Sequence, residues 1–167
     1  MTAAFRVESL SPDHDRGGFS CGIPALDVYL ARQATQDIRR RVSACYVLIE
    51  VSSGKIVGYY TLAAASVALS DLPEAVAKKL PRYPSVPAAR VGRLAIADGF
   101  HGKNLGGALL ADAADRAARS EVAIFALLVD AKDDIAANFY LHLGFEPLGA
   151  KSRQLFVPLA RFRDAAV

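Results

Sequence analysis

A glycine-rich loop between a predicted strand and a predicted helix constrains this chain more than any other feature. The strand is predicted over residues 90–97, which are mostly apolar and bounded by turn-forming residues. The loop covers residues 99–107, and a helix is predicted from Leu105 because apolar residues then recur every four positions, at Leu105, Leu109, Ala113 and Ala117. Amides at a helix start lack helical acceptors, and glycines let an anion approach them closely. The pattern indicates a phosphate-binding loop or, alternatively, a tight turn that binds nothing.

The loop matches neither of two common nucleotide-binding motifs. A Walker loop needs Gly-Lys-Ser/Thr, and the dinucleotide fingerprint needs a glycine where Asn104 stands. Residues 103–108, Lys-Asn-Leu-Gly-Gly-Ala, instead resemble the Gln/Arg-x-x-Gly-x-Gly/Ala signature of the GNAT acetyltransferases. The resemblance implies that the loop holds the pyrophosphate of acetyl-coenzyme A. Lys103 departs from the signature, a change that a loop binding mainly through main-chain amides should tolerate.

Length and composition restrict the class of protein. The chain has 167 residues, of which 53% are hydrophobic, so we expect one folded domain over residues 1–167. No apolar run reaches the ~18 residues of a membrane span, and residues 1–6 lack a signal-peptide pattern, so we expect a cytoplasmic protein without a membrane partner. Cys21 and Cys45 are isolated, which favours two reduced, packed thiols and no metal site. The net charge of +3 permits a polyanionic partner.

The order of predicted elements indicates a single-domain α/β (α+β) fold with a mixed central β-sheet and helices on both faces. The other predicted strands are residues 5–10, 44–51, 56–62, 122–129, 145–148 and 153–159, and the other predicted helices are residues 24–40, 135–143 and a short one within 72–80. Residues 81–87 are predicted to be irregular and 149–152 to form a turn. Asp133 or Asp134 should cap helix 135–143, and Gly144 should end it.

Residues 138–145, Asn-Phe-Tyr-Leu-His-Leu-Gly-Phe, resemble the Asn/Ala-x-x-Phe-Tyr-x-x-x-Gly-Phe helix of GNAT enzymes. The resemblance implies that Tyr140 is the general acid that protonates the departing coenzyme A thiolate, and that Asn138 orients the pantetheine arm. A thiol with a pKa near ~8.5 is a moderate leaving group, so one hydrogen bond suffices. The alternative is that Phe139 and Tyr140 only pack in the core.

The same resemblance implies a set of coenzyme-binding residues: Leu94, Ala95, Ile96, His101, Gly102, Lys103, Asn104, Leu105, Gly106, Gly107 and Ala108. For His101 a surface role is the alternative to a phosphate contact. His14 and His142 take part in no Ser-His-Asp or Cys-His pattern.

Nearly the whole chain is similar to the GNAT toxins of type II toxin–antitoxin pairs. The residues that carry the similarity are Phe19, Cys21, Gly22, Leu26, Asp27, Tyr29, Leu30, Gln36, Arg39, Arg40 and residues 58–62, 93–95, 129–133 and 139–140. The resemblance implies that the enzyme acetylates the α-amino group of the amino acid on charged tRNA and so stops translation. It also implies neutralisation by a ribbon-helix-helix antitoxin, operator DNA bound through the antitoxin complex, and a homodimer.

The acid–base chemistry of amines is consistent with that substrate. No Asp or Glu stands out as a base near Tyr140 in the sequence. An α-amine has a pKa near ~8, and an ester at the carboxyl lowers it further, whereas a lysine near ~10.4 is neutral in about one of ~2,500 molecules at pH 7, a deficit of roughly 4–5 kcal/mol. A missing base therefore favours an α-amine.

Basic residues supply candidates for contacts with tRNA phosphates. They are Arg32, Arg39, Arg40, Lys78, Lys79, Arg82, Arg90 and Arg93. Each can alternatively be a solubilising charge, and the basic run 39–41 can simply be a solvated helix end.

Two other functions stay open from the sequence. The chain could be a GNAT enzyme for a small-molecule or protein amine, or a non-catalytic partner whose basic face binds operator DNA with an antitoxin.

Overall fold

The protein forms a seven-stranded sheet with the strand order β1-β2-β3-β4-β5-β7-β6 in a computed structural model that describes residues 4–149 and 153–165, with side chains as far as residue 162. The strands are β1 Phe5–Ser9, β2 Ala44–Glu50, β3 Ile56–Ala68, β4 Ser85–Ile96, β5 Ala126–Asp130, β6 Glu146–Pro147 and β7 Gln154–Pro158. The α-helices are α1 Pro24–Val28, α2 Ala34–Arg39, α3 Glu74–Ala77, α4 Leu105–Ala118, α5 Asp134–His142 and α6 Ala160–Ala165. Strands β4 and β5 are parallel and β5 and β7 antiparallel, so the predicted mixed α/β (α+β) sheet is confirmed.

The chain divides into two compact units. The first unit contains Met1–Ala63 and Gly92–Ala113, and the second contains Ala64–Val91 and Ala114–Val167. Within the described residues, no helix combines the length and the apolar character that a membrane crossing needs.

The N-terminal helical run of the first unit contains a π-helical turn. Residues 24–40 were predicted as one regular helix, but Tyr29–Gln33 between α1 and α2 is π-helical, and the Ala34 amide donates to the Tyr29 carbonyl five residues earlier. Tyr29, Leu30 and Ala34 are buried. The wider turn brings Tyr29 as well as Leu30 to the core side.

Strands β1, β2 and β3 of the first unit form an antiparallel meander, with Val7 opposite Leu48 and Tyr46 opposite Tyr60. Gly58 on β3 allows a close approach to its neighbours. A Cβ at this position would lie 3.0 Å from the Ala95 carbonyl oxygen and 3.4 Å from a methyl group of Leu109. The first-unit part of β4 and the start of α4 therefore pack tightly on β3.

The second unit is built on a buried apolar cluster. Its members are Val67, Leu72, Val86, Ala88, Ala126, Leu128, Leu148 and Phe156. Ala88 pairs with Ala126 across the parallel β4–β5 ladder, and Leu128 pairs with Phe156 across the antiparallel β5–β7 ladder. Every residue of β5 from Ala126 to Val129 is buried, as expected for a strand covered on both faces.

Several predicted boundaries are wrong. Strand β4 begins at Ser85, so residues 85–87 are not irregular; Pro87 lies in the strand and its carbonyl accepts from the Phe125 amide at 2.9 Å. Strand β5 begins at Ala126, because residues 122–125 precede the ladder and Val122 is 74% exposed. Helix α6 was not predicted. Of the predicted turn 149–152, all but Gly149 lies outside the described residues.

Candidate active site

The glycine-rich loop of the first unit is anchored where β4 ends. The Ala97 amide donates to the Val57 carbonyl at 2.8 Å, and the Asp98 amide donates to the Ser20 carbonyl at 2.8 Å. The Ser20 hydroxyl in turn donates to Oδ2 of Asp98 at 3.1 Å. The entrance to the loop is therefore fixed to β3 and to the segment before α1.

Three residues with left-handed backbone shape the loop itself. Gly99 has φ 87°, Gly102 has φ 80° and Asn104 has φ 59°. No atom lies within 4 Å of a Cβ placed on Gly102, so only its backbone conformation favours glycine there. Asparagine tolerates the left-handed region better than most residues, which explains how Asn104 occupies the position of a fingerprint glycine.

The first residues of α4 present main-chain amides. The Ala108 amide donates to the Asn104 carbonyl at 3.1 Å, so the amides of Leu105, Gly106 and Gly107 precede the helical hydrogen-bond pattern. The Leu105 side chain is buried and holds the first turn in place, whereas the side chains at 101–104 are exposed. This geometry suits a phosphate, since amides and helix dipole act together there.

The side chains of the loop make local contacts. The Nε2–H of His101 donates to the Ile96 carbonyl at 2.7 Å. The Lys103 ammonium lies 5.4 Å from the centre of the Phe100 ring. A phosphate contact by His101 or Lys103 stays a prediction.

The predicted pantetheine strand, residues 94–96, is the last part of β4. Ala95 is buried, and Leu94 and Ile96 are half-buried. One residue before Leu94, the Arg93 amide donates to the hydroxyl of the buried Thr61 at 3.0 Å. This fixes the β4 backbone just before the residues predicted to bind the coenzyme.

Tyr140 lies on α5 in the second unit, and both ends of α5 are defined by the predicted signals. Oδ1 of Asp133 accepts the Ala136 amide at 2.8 Å, which identifies Asp133 rather than Asp134 as the cap. Gly144, with φ 100°, follows the last turn. Tyr140 is 8% exposed, and its ring lies 5.4 Å from the ring of Phe139. Its hydroxyl has no described partner, and no buried side-chain oxygen among the described residues lacks one, so the hydroxyl oxygen is accessible.

The surroundings of Tyr140 favour its protonated form. Burial raises the pKa of the phenol above its ordinary value, and the negative charge of Asp130 raises it further. Asp130 also pairs with Arg90 at 3.3 Å. Sequence reasoning did not single out Asp130 as a carboxylate near Tyr140, because ten residues separate the two. Asn138, the other predicted site residue of α5, is exposed.

The predicted basic residues fall into two sets. Arg32, Arg39, Arg40 and Arg93 belong to the first unit, and Lys78, Lys79, Arg82 and Arg90 to the second. Arg93 and Arg90 are half-buried and the others exposed. The Arg93 guanidinium carbon lies 3.6 Å from the centre of the Tyr29 ring. The Tyr29 hydroxyl donates to Oδ2 of Asp37 at 2.7 Å, and burial together with this bond raises the pKa of Tyr29 to about 12.

The cysteines are free and buried, as predicted. Burial raises the pKa of the Cys45 thiol to about 12, so it is protonated and unreactive at neutral pH. Among the described residues, no group of three or more His, Cys, Asp or Glu side chains is placed to hold a metal ion.

Two curated relatives cover most of this chain. A tRNA-acetylating toxin of Mycobacterium tuberculosis (strain ATCC 25618 / H37Rv) is 37% identical over 82% of this chain and 81% of its own length. A probable toxin TacT of Sinorhizobium fredii (strain NBRC 101917 / NGR234) is 29% identical over 95% of this chain and 93% of its own length.

Three solved structures share the fold. AtaT complexed with acetyl-methionyl-tRNAfMet is 30% identical, with a TM-score of 0.89 over 98% of this chain and 99% of the other. A tyrosine-to-phenylalanine variant of toxin AtaT, bound to the C-terminus of antitoxin AtaR and acetyl-CoA, is 26% identical, with a TM-score of 0.81 over 99% of each chain. The KacTA–DNA complex contains a chain that is 27% identical, with a TM-score of 0.79 over 97% of this chain and 98% of the other.

The family suggested by the glycine loop and by the Phe-Tyr helix is confirmed by a match to the family as a whole. Residues 42–147, more than half of the chain, match the acetyltransferase (GNAT) domain. The matched range contains the amide-rich start of α4 and the helix that carries Tyr140. The chain therefore belongs to the GNAT acetyltransferase family.

Proposed function

We propose that this chain is a toxin that transfers acetyl from acetyl-CoA to the α-amino group of the amino acid on charged tRNA, and so blocks translation. The observation that carries the proposal is the start of α4, where left-handed Gly102 and Asn104 turn the chain into the helix and the amides of Leu105, Gly106 and Gly107 precede its hydrogen-bond pattern. The relatives named above, one of them a tRNA-acetylating toxin and another solved with an acetylated tRNA, support the choice of substrate.

The loop has a binding role in this proposal. Residues 103–108 hold the coenzyme pyrophosphate, chiefly through the amides of Leu105, Gly106 and Gly107, since the Ala108 amide donates to the Asn104 carbonyl. Leu94, Ala95 and Ile96 hold the pantetheine arm along the end of β4. Because the donors are main-chain groups, the exposed Lys103 side chain adds a charge but does not define the site. Asn138 contributes a side-chain amide from the exposed face of α5.

Tyr140 supplies the proton in this proposal. The neutral α-amine attacks the thioester carbonyl, a C–N bond forms and the C–S bond breaks. The Tyr140 hydroxyl donates its proton to the departing sulfur, and the amine loses its extra proton to water, which returns one to Tyr140. A raised pKa keeps the phenol protonated throughout the pH range in which the amine becomes neutral.

The experiment uses charged tRNA and labelled acetyl-CoA with the full chain. Label should appear on the aminoacyl group and not on uncharged tRNA, and induced expression should halt growth. Absence of label on the aminoacyl group, with acetylation of free small amines retained, would instead favour an enzyme for small or protein amines.

The proposed toxin has three macromolecular partners besides tRNA. We propose a ribbon-helix-helix antitoxin as the inhibitor, operator DNA as a ligand of the toxin–antitoxin complex, and a homodimer as the active form. The antitoxin-bound AtaT and the KacTA–DNA complex support the first two. Light scattering of the purified chain tests the homodimer, and light scattering with the product of a neighbouring short gene tests the antitoxin complex. A DNA mobility shift with that complex tests operator binding.

A further inference from the structure

Tyr29 forms a fixed aromatic platform in the first unit. Its ring is 4% exposed, and its hydroxyl is held by Asp37. The Tyr59 ring lies 6.3 Å away at an angle of 14°, and the Tyr59 hydroxyl donates to the Leu26 carbonyl at 2.7 Å. The ring of Tyr29 therefore has one face and one orientation available to a neighbour.

The Arg93 guanidinium occupies that face without an acceptor. It stacks on the Tyr29 ring at 3.6 Å, and no described residue accepts a hydrogen bond from it or forms an ion pair with it. Arg16 in the same unit is different, because its Nη1 donates to the Thr35 hydroxyl at 2.6 Å and to the Leu30 carbonyl. A half-buried guanidinium with fixed orientation and free donors is suited to bind an external anion in a bidentate manner.

Arg93 lies on β4 before the glycine-rich loop begins. Its amide is fixed by Thr61, and it precedes Ile96, the last residue of the strand, by three residues. Three strand residues span about 10 Å, so Arg93 lies that far back from the strand end from which the loop leads to α4. The Arg93 backbone therefore stands apart from the loop amides, and the acetyl-CoA binding measurement below distinguishes its anion from the pyrophosphate.

We propose that Arg93, oriented by the Tyr29 platform, binds a phosphodiester in the single-stranded acceptor end of the substrate tRNA, and that Tyr29 and Asp37 are positioning residues. The identity of the anion rests on the proposed function, since an ester-linked aminoacyl group carries no carboxylate and the nearest anions are the phosphates of the acceptor end. Arginine is favoured over lysine here because its planar fork both stacks and binds bidentately.

The test measures salt dependence as well as affinity. Binding of uncharged tRNA by the full chain is measured by fluorescence anisotropy at several salt concentrations for Arg93→Gln, Arg93→Lys, Tyr29→Phe and Tyr29→Leu. Arg6→Gln is the matched control, because it removes one exposed charge paired with Glu8 in the same unit.

Arg93→Gln should weaken tRNA binding about tenfold and reduce the slope of log K against log salt by about 0.7, the value for one single-strand phosphate contact. Arg93→Lys should keep most of the slope but lose affinity. Tyr29→Leu should bind tRNA with about the affinity of Arg93→Lys. The affinity of Tyr29→Phe for tRNA should lie between that of Tyr29→Leu and that of the wild type.

Three results would overturn the proposal. An unchanged slope in folded Arg93→Gln would leave Arg93 with a structural role only. Loss of acetyl-CoA binding by calorimetry with tRNA binding intact would assign Arg93 to the coenzyme. Loss of antitoxin inhibition alone would assign it to a protein partner. Failure of the proposed function has a different signature from failure of the Arg93 proposal. If the proposed function is wrong, the wild type does not acetylate charged tRNA, whereas the role of Arg93 is judged from tRNA binding by the variants.

Discussion

Replacing Tyr140 by phenylalanine separates catalysis from folding in this protein. The ring contacts with Phe139 and Phe145 remain in Tyr140→Phe, and the hydroxyl that is lost has no described partner. The free energy of unfolding should therefore stay within about 0.5 kcal/mol of the wild type. The coenzyme affinity should also be unchanged, since the proposed binding groups, the loop amides and the Asn138 side chain, are both kept in this variant.

The loss of kcat in Tyr140→Phe should lie at the lower end of the contribution that general acids make to catalysis. Such groups contribute about 10²–10⁴-fold, which corresponds to about 2.7–5.4 kcal/mol. The leaving thiol, with a pKa near ~8.5, is already a moderate leaving group, so we expect kcat for acetylation of charged tRNA to fall about 100-fold. Tyr83→Phe, which removes a hydroxyl from a 64% exposed tyrosine, is the control and should leave kcat unchanged.

The pH profile provides a second readout. The acid form of Tyr140 is lost only as the pH rises through its pKa, and burial and Asp130 move that pKa upward. The wild-type rate should rise with pH as the amine is deprotonated and should not decline until above about pH 10. A Tyr140→Phe variant that binds acetyl-CoA normally and retains kcat within threefold of the wild type would refute the assignment.

Three further outcomes are expected. Asn104→Val should raise the Kd for acetyl-CoA about tenfold in calorimetry, because a β-branched residue disfavours the φ of 59° at this position. Asn104→Gly should bind acetyl-CoA like the wild type. An equal loss of affinity in both variants would instead assign the effect to the asparagine side chain. Asp133→Ala should lower stability in urea melts by about 1 kcal/mol through loss of the cap on the Ala136 amide, and Asp134→Ala, which removes an exposed carboxylate, should cost less. Burial raises the pKa of the Cys45 thiol from 9.0 to about 12, so its contribution to the free energy of unfolding is complete below pH 9 and is lost as the pH rises towards 12. Cys45→Ala should reduce the loss of stability over this pH range by up to about 1.4 kcal/mol per pH unit in urea melts. An unchanged slope of stability against pH would exclude the thiol as the cause.

Local sequence signals identified the elements that carry the candidate site. The spacing of Leu105, Leu109 and Ala113 predicted α4, and all three side chains are buried. Gly144 marked the end of α5, and its start was predicted as Asp133 or Asp134, of which Asp133 is the cap. These signals succeed because capping, helical periodicity and left-handed turns depend on residues within a few positions of one another.

Boundaries and contacts set by distant residues were not predictable in the same way. Residues 85–87 contain a proline but join β4, because Pro87 needs only its carbonyl for the bond to the Phe125 amide. Residues 122–125 have strand-forming composition, yet the ladder with β4 and β7 starts at Ala126. The stacking of Arg93 on Tyr29 joins residues 64 positions apart, which no local pattern records.

The π-helical turn at Tyr29–Gln33 gives the N-terminal helical run one residue that it can lose. The turn holds one residue more than a regular helical turn does, because the Ala34 amide reaches back five residues to the Tyr29 carbonyl. Deleting one exposed residue such as Ala31 would leave Tyr29 and Ala34 four positions apart, so a regular helix would form and both side chains would still point inward. The same deletion within the regular helix α4 would rotate the residues on one side by about 100° relative to the other. During divergence the loss of one residue should therefore be tolerated between Tyr29 and Ala34 and eliminated within α4.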